Sequence, residues 1–347
     1  MKRATVDTIG FKALTQAELA EVITEELQQP SFRTKQILQW VYQKGAVSFD
    51  DMTNVPASLR DVLSKQYPLY TPKIIKKQVS LDGTRKYLIE LVDGAHVETV
   101  GIPYKDHLSV CVSSQAGCSL RCAFCATGQA GYTRNLGCGE IVDQVMLVAR
   151  DFEKRVSNVV FMGQGEPFLN YDASIEAARI INEPNCLGIG ARHITISTSG
   201  ILPQIRRFAS EPQQFTLAIS LHSAIQETRD EIMPGVKNYT LDRLRDSIIS
   251  YANATGRRPT FEYLMINHVN DSNEHLKALV AFCRGTLCHV NLIPLNPTPK
   301  SRFTPSPLER IKDFEQYLTS VGIETTIRQS FGADIDAACG QLKQKYK

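Results

Sequence analysis

The sequence lacks any apolar run approaching the ~18 residues that a membrane-spanning helix needs. Its first residues, Met1 to Asp7, hold a basic pair at Lys2-Arg3 with no apolar stretch behind it. No secretory leader and no membrane partner are therefore expected, and a cytoplasmic protein is. Charge of one sign is scarce as well, since 39 Lys and Arg stand against 36 Asp and Glu, a formal net charge of +3. That balance excludes the blanket attraction of a strongly basic nucleic-acid binder, so an RNA partner would have to be met by local basic surface. Internal repeats and low-complexity segments are missing too, which argues against a solenoid or a disordered spacer.

What is present is enough chain for a large core. At 347 residues, 43% hydrophobic and 22% charged, it suits one large or two modest globular domains. There are nine cysteines. In a cytoplasmic chain they read as metal-bound, catalytic or buried rather than as structural disulfides.

Three of them crowd into Cys118-Ser119-Leu120-Arg121-Cys122-Ala123-Phe124-Cys125, with Gly117 just before and Gly128 just after. Soft thiolate sulfur suits zinc or an iron–sulfur cluster. A zinc knuckle would close with a fourth ligand such as Cys138 or a histidine. A four-iron cluster held by three cysteines would instead leave one iron open to a substrate or cofactor. The triad alone admits both.

Around this stretch the chain changes its period. Residues 1–72 read as a small helical unit. Thr15 and Glu18 form a capping-box pattern, and Leu19, Val22, Ile23 and Leu27 follow at helical spacing. A second helix is expected after Pro30, with Phe32, Ile37, Leu38, Val41 and Tyr42 on its apolar side, and a third after Pro56 with Leu59, Val62 and Leu63. Residues 73–106 read as short strands joined at Asp82-Gly83 and Asp93-Gly94. Lys73, Lys76 and Lys77 gather there, either as an RNA-facing surface or as a solvated strand edge.

From 107 to 330, apolar runs at 108–112, 157–162, 193–197, 215–221, 260–266 and 288–293 alternate with helical stretches such as 139–153 and 273–284. That alternation predicts an α/β fold of parallel βαβ units. Residues 331–347 form a tail carrying Cys339. In such folds ligands bind where the C-terminal ends of the strands open into loops. The triad follows the first run, Gly163-Gln164-Gly165-Glu166-Pro167 the second and Ser197-Thr198-Ser199-Gly200 the third. Ser220-Leu221-His222 ends the fourth, and Asn296 comes just after the sixth.

The triad spacing, with Phe124 before the last cysteine, resembles the signature of the radical S-adenosylmethionine (SAM) superfamily. That resemblance implies a partial (β/α)6 barrel, which the six units match, here preceded by the helical accessory unit and the strand-rich extension. Three longer stretches closely resemble the RlmN/Cfr family of RNA methyltransferases: Cys111-Val112-Ser113-Ser114-Gln115-Ala116-Gly117-Cys118, Met162-Gly163-Gln164-Gly165-Glu166-Pro167, and Asp334-Ile335-Asp336-Ala337-Ala338-Cys339-Gly340-Gln341-Leu342. The resemblance runs over nearly the whole chain.

It implies one [4Fe–4S] cluster on Cys118, Cys122 and Cys125. It also implies SAM, two molecules per turnover, bound by Gly165, Glu166, Ser197, Ser220, Leu221, His222 and Asn296. Cys339 would be the methyl carrier, Cys111 its thiol and disulfide partner, and Glu98 the acidic residue beside the adenine. The implied partners are 23S rRNA, in some members tRNA, and a reductant for the cluster and for the Cys111–Cys339 disulfide. A monomer is expected. One branch of the family methylates carbon 2 of adenosine 2503 in 23S rRNA and, in some bacteria, adenosine 37 of certain tRNAs. The other, Cfr-type, methylates carbon 8 of the same rRNA adenosine and confers antibiotic resistance. Phe168-Leu169-Asn170 and Ser197 to Gly200 look like the carbon-2 branch, whereas His222-Ser223 and Cys125-Ala126-Thr127-Gly128 are closer to the other. Carbon 2 is the expectation.

Without that resemblance the same residues have plainer readings. Cys339 among small residues and Cys111 on a strand would be packing thiols, His222 a core histidine and Glu98 a surface carboxylate. Cys138, Cys186, Cys283 and Cys288 match no motif and are assigned to structure. A radical SAM enzyme on a non-RNA substrate and a non-catalytic zinc or RNA-binding protein are the competing functions.

Overall fold

The computed structural model describes residues 10–297 and 301–342, so the leader reading of Met1 to Asp7 lies outside the described residues. Thr15 Oγ1 accepts from the Glu18 amide at 3.1 Å, and the Glu18 carboxylate accepts from the Thr15 amide at 2.8 Å. The capping box thus opens the helix Gln16–Glu21, which runs on into a wider π turn, Val22–Glu26. The second helix, Phe32–Leu38, likewise passes into a π turn, Gln39–Gln43, and the third is Ala57–Gln66. Leu19, Ile23, Ile37, Val41, Leu59 and Leu63 are buried. Phe32 is a correction: it is 57% exposed. It begins its helix, one turn short of the buried stripe, and its ring lies under the Arg33 guanidinium at 4.7 Å.

This helical unit is packed onto the rest of the chain. Lys12 makes a buried ion pair with Asp143, and one hydrophobic core runs continuously from Phe11 and Leu63 to Phe314.

Strands β1 (Lys73–Val79), β2 (Arg85–Glu90), β3 (His96–Pro103) and β4 (Leu108–Cys111) form an antiparallel meander. Its first two turns place Gly83 and Gly94 at φ +85° and +79°, a region open to glycine. After β4 come a short antiparallel pair, β5 (Gln115–Gly117) and β6 (Tyr132–Asn135), which brackets the cysteine triad. Then β7 (Asn158–Phe161), β8 (Ile194–Thr198), β9 (Thr216–Ser220), β10 (Thr260–Met265), β11 (His289–Pro294) and β12 (Thr325–Ile327) follow.

Among the described residues one ten-stranded sheet has the order β1-β2-β3-β4-β7-β8-β9-β10-β11-β12, parallel from β4 onward. The expected extension is thus the edge of the barrel sheet itself. Helices such as Cys138–Phe152, Tyr171–Asn182 and Leu241–Thr255 cover its outside. Covered on both sides, the parallel strands bury Val159, Ile194, Ile196, Leu217, Ile219, Phe261 and Leu292 completely. β12 is a seventh parallel strand, too short for a periodic signal.

Candidate active site

The loops at the C-terminal ends of the parallel strands enclose a cavity of about 330 Å³. Cys118, Cys122 and Cys125 form one wall of it. The Cys118 amide donates to the Gly131 carbonyl at 2.8 Å. Gly117 permits that closure, because a Cβ there would stand 2.1 Å from the Gly131 oxygen. Cys125 caps the short helix Ala126–Ala130. Burial pushes the Cys118 thiol up to about 12, and raises Cys122 and Cys125 as well. Left alone, these sulfurs would stay protonated, and only a bound metal centre makes them thiolates.

The donor set bears on the two readings of the triad. A single zinc ion needs its sulfurs gathered at ~2.3 Å from one point. Cys138, the nominated fourth ligand, is buried elsewhere, with its Sγ 3.5 Å from the Lys12 carbonyl oxygen. Three thiols spread along the wall of an open cavity fit a larger iron–sulfur cluster with one side free.

Opposite that wall lie the groups expected to hold SAM. Glu166, buried, accepts from the amides of Phe168 at 3.0 Å and Ser199 at 2.7 Å. These bonds use part of its capacity and leave room for a cationic donor. Burial nonetheless raises its pKa above the ordinary glutamate value. Gly165 sits at φ +101°, and a Cβ there would come 2.6 Å from Gln115. Ser197, Ser220 and Asn296 line the cavity from the ends of β8, β9 and β11. Leu221 is wholly buried and lies outside the lining of the cavity; its amide donates to the Glu262 carbonyl at 3.1 Å.

His222 occupies a left-handed backbone conformation (φ +55°). Its Nδ1 accepts from the Leu264 amide at 3.1 Å, which leaves the proton on Nε2. Its ring meets the edge of Phe124 at 4.9 Å, and burial, then Arg229, lowers its pKa to about 3. His222 is therefore a neutral hydrogen-bond donor facing the triad loop.

Cys111 and Cys339 line the same cavity. Cys111 ends β4, buried, and burial with the charge of Cys339 pushes its thiol up to about 12, while Arg328 and the Met162 amide pull it down. Cys339 is half-buried between Asp336 (φ +53°) and Gly340 (φ +82°), and its carbonyl accepts from Asn296 Nδ2 at 3.5 Å. Its segment is tied to the triad helix, because Thr127 Oγ1 donates to the Leu342 carbonyl at 2.6 Å.

Glu98 is placed otherwise. It is buried, not a surface carboxylate, and it lies outside the cavity lining, paired with Lys86 at 3.5 Å. Lys86 Nζ also donates to the Asp336 carbonyl at 3.0 Å, so Glu98 reaches the Cys339 segment through one lysine.

Several lining residues had no reading from sequence: Arg328, Glu262, Tyr104 and Phe331. Glu262 could have been flagged as a lone carboxylate in the apolar run Phe261 to Met265. Arg328 follows β12, whose three residues carry no pattern.

Comparison with known proteins adds the rest. The radical SAM superfamily model matches residues 112–282, and the model of the ribosomal RNA large subunit methyltransferase N-terminal domain matches residues 10–68. A probable dual-specificity RNA methyltransferase RlmN of Geobacillus kaustophilus is 47% identical over 336 residues, covering 96% of this chain and 92% of its own. One from Alkaliphilus oremlandii is 45% identical over 342 residues, covering 98% and 99%. The crystal structure of a radical SAM methyltransferase from Sphaerobacter thermophilus superposes with a TM-score of 0.91 at 45% identity, covering 96% of this chain and 99% of that one.

Proposed function

The chain belongs to the RlmN family of dual-specificity, radical SAM RNA methyltransferases, and from that premise we propose that it methylates carbon 2 of adenosine 2503 in 23S rRNA, and adenosine 37 of certain tRNAs, through an S-methyl group carried on Cys339. The observation that carries this reading is the meeting, in one cavity, of a three-thiol wall and a second pair of thiols, Cys111 and Cys339. An adenine ring carbon is a poor nucleophile toward a methyl donor, whereas a thiolate is a good one. A carrier cysteine therefore solves a problem that direct transfer would not.

When bound at Cys118, Cys122 and Cys125, the cluster, with SAM, supplies the hydrogen-abstracting chemistry. The remaining steps belong to the chain. Cys339 loses its proton and takes a methyl group by displacement, forming its S–C bond as the donor's breaks. Gly165, Glu166, Ser197, Ser220, His222 and Asn296 hold and orient the donor, with Glu166 turned to its amine and the His222 Nε2–H available as a donor. Once the methyl-derived carbon has joined the base, Cys111 attacks the Cys339 sulfur. The ring carbon gives up its proton, an S–S bond forms, and the S–C bond breaks with its electron pair passing to the methylene carbon, which takes up a proton to become methyl. Methylated RNA leaves as a Cys111–Cys339 disulfide remains for an external reductant. Glu98 acts with Lys86 on the segment carrying Cys339 and on the acid–base balance beside the base. The base must be unstacked to enter, since its carbon is inaccessible within a helix.

We assign residues 1–72 to RNA docking, 107–330 to the catalytic barrel and 331–347 to the carrier segment, in a cytoplasmic monomer. The test is nucleoside mass spectrometry of rRNA and tRNA from cells with and without the gene. Loss of 2-methyladenosine on deletion is expected, and the affected fraction reports whether tRNA is a substrate. Loss of 8-methyladenosine instead moves the protein to the Cfr-type reaction. No change in either nucleoside overturns the assignment.

A further inference from the structure

The thiol pair shares its cavity with one cation that the reaction described above does not use. Arg328 follows β12, and its backbone amide donates to the Leu292 carbonyl at 2.8 Å, which fixes the side chain at the mouth of β11. Its Nη1 lies 3.4 Å from Met162 Sδ and 3.7 Å from Glu262 Oε2. Met162 ties it to Cys111, because Met162 packs against the small apolar cluster that holds Cys111, Ala337 and Leu342. Cys111, Met162, Arg328 and Cys339 all line the one cavity.

We propose that Arg328 is the positioning residue of the thiol pair: its guanidinium, set beside Glu262 and Met162 in the cavity that both sulfurs line, stabilises the negative charge on whichever of Cys111 and Cys339 is reacting. This rests on the thiol-carrier reading above.

Two features favour the idea. Cys339, Glu262, Cys111 and Tyr104 line the cavity with Arg328, and their charges raise its pKa, Cys339 foremost. Glu262 engages the cation only at 3.7 Å and divides its capacity. It accepts from Asn291 Nδ2 at 2.8 Å, and burial pushes the carboxyl toward its neutral form. A buried thiol has the opposite need, since an apolar wall suppresses the thiolate, and a fixed guanidinium is the device that restores it. Arginine suits the role because it stays charged under burial where a lysine gives up its proton more readily.

The test uses cluster-free, reduced full-length protein, so neither SAM nor RNA enters. Oxidised glutathione is added, and formation of the Cys111–Cys339 disulfide is followed by peptide mass mapping from pH 6 to 10. The balance is complete: each thiolate displaces one glutathione thiolate in turn, the protein loses two electrons, and glutathione disulfide gains them. Arg328→Met is expected to slow closure about tenfold near pH 7 and to move the pH midpoint upward by about one unit, with Arg328→Lys recovering part of both. Circular dichroism checks that each variant is folded. A folded Arg328→Met protein with the wild-type profile overturns the proposal. Failure of the wild type to form the disulfide overturns the pairing itself and the proposal with it. The carrier reading is read apart from these, by whether protein isolated from cells carries a methyl group on Cys339.

Discussion

The backbone amide of Ala126 donates to the carbonyl of Gly340 at 2.8 Å. One residue follows the last cysteine of the triad, the other follows Cys339. This single bond therefore joins the expected cluster loop to the expected carrier loop, and it makes the distance between the two reactive centres a property of the fold.

Loss of the carrier thiol should be catastrophic and specific. Cys339→Ala is expected to lower methylation about 10³-fold or more while leaving iron content unchanged. Cys111→Ala should differ in kind: with the resolving thiol gone, RNA stays bonded to Cys339. A denaturing gel showing an RNA-shifted band for Cys111→Ala and none for the double variant checks both.

The triad should be separable from the core. Cys118 and Cys125 are only partly buried, so Cys118→Ala or Cys125→Ala should abolish the visible absorption and iron binding of the reconstituted protein without altering its far-ultraviolet circular dichroism. Zinc bound tightly at this site in place of iron would count against the cluster.

His222 should report on acid stability. Its folded pKa, lowered to about 3 by burial and Arg229, lies below the ~6.5 of an unfolded histidine. Between those values the unfolded chain binds a proton that the folded one refuses. Its contribution is thus complete above pH ~6.5 and falls by about 1.4 kcal/mol per unit as pH drops toward 3. His222→Asn should flatten that part of a urea-stability profile. Removal by His222→Ala should also cost about 1–3 kcal/mol at neutral pH, because the Leu264 amide loses its acceptor.

The ion pair fastening the helical unit to the barrel should be costly to break from one side. Lys12 and Asp143 have side chains 8% and 9% exposed, and burial raises the Asp143 pKa although Lys12 opposes it. Lys12→Met or Asp143→Asn should each cost about 3–5 kcal/mol in urea unfolding, whereas the double apolar replacement should recover much of it.

Local signals were readable because they act within a few residues. The Thr15–Glu18 capping box, the Asp-Gly turns and the six apolar runs each depend on neighbours in the chain, and each predicted element forms. Phe32 misled because helical periodicity cannot tell the first turn of a helix from its buried middle. The plainer reading of Glu98 as a surface carboxylate failed because a place on a strand does not reveal that Lys86 of β2 pairs with it in a buried position.

By itself the sequence determined the elements, the βα order, and the nearness of the three triad sulfurs, since spacing along a covalent chain limits how far apart they can lie. Only the tertiary structure decided that Arg328 and Glu262 join the cavity, that Cys111 and Cys339 line it together, and that Leu221 is buried outside its lining. Those contacts unite residues far apart in sequence, and their formation depends on sheet order and core packing, which no local pattern encodes.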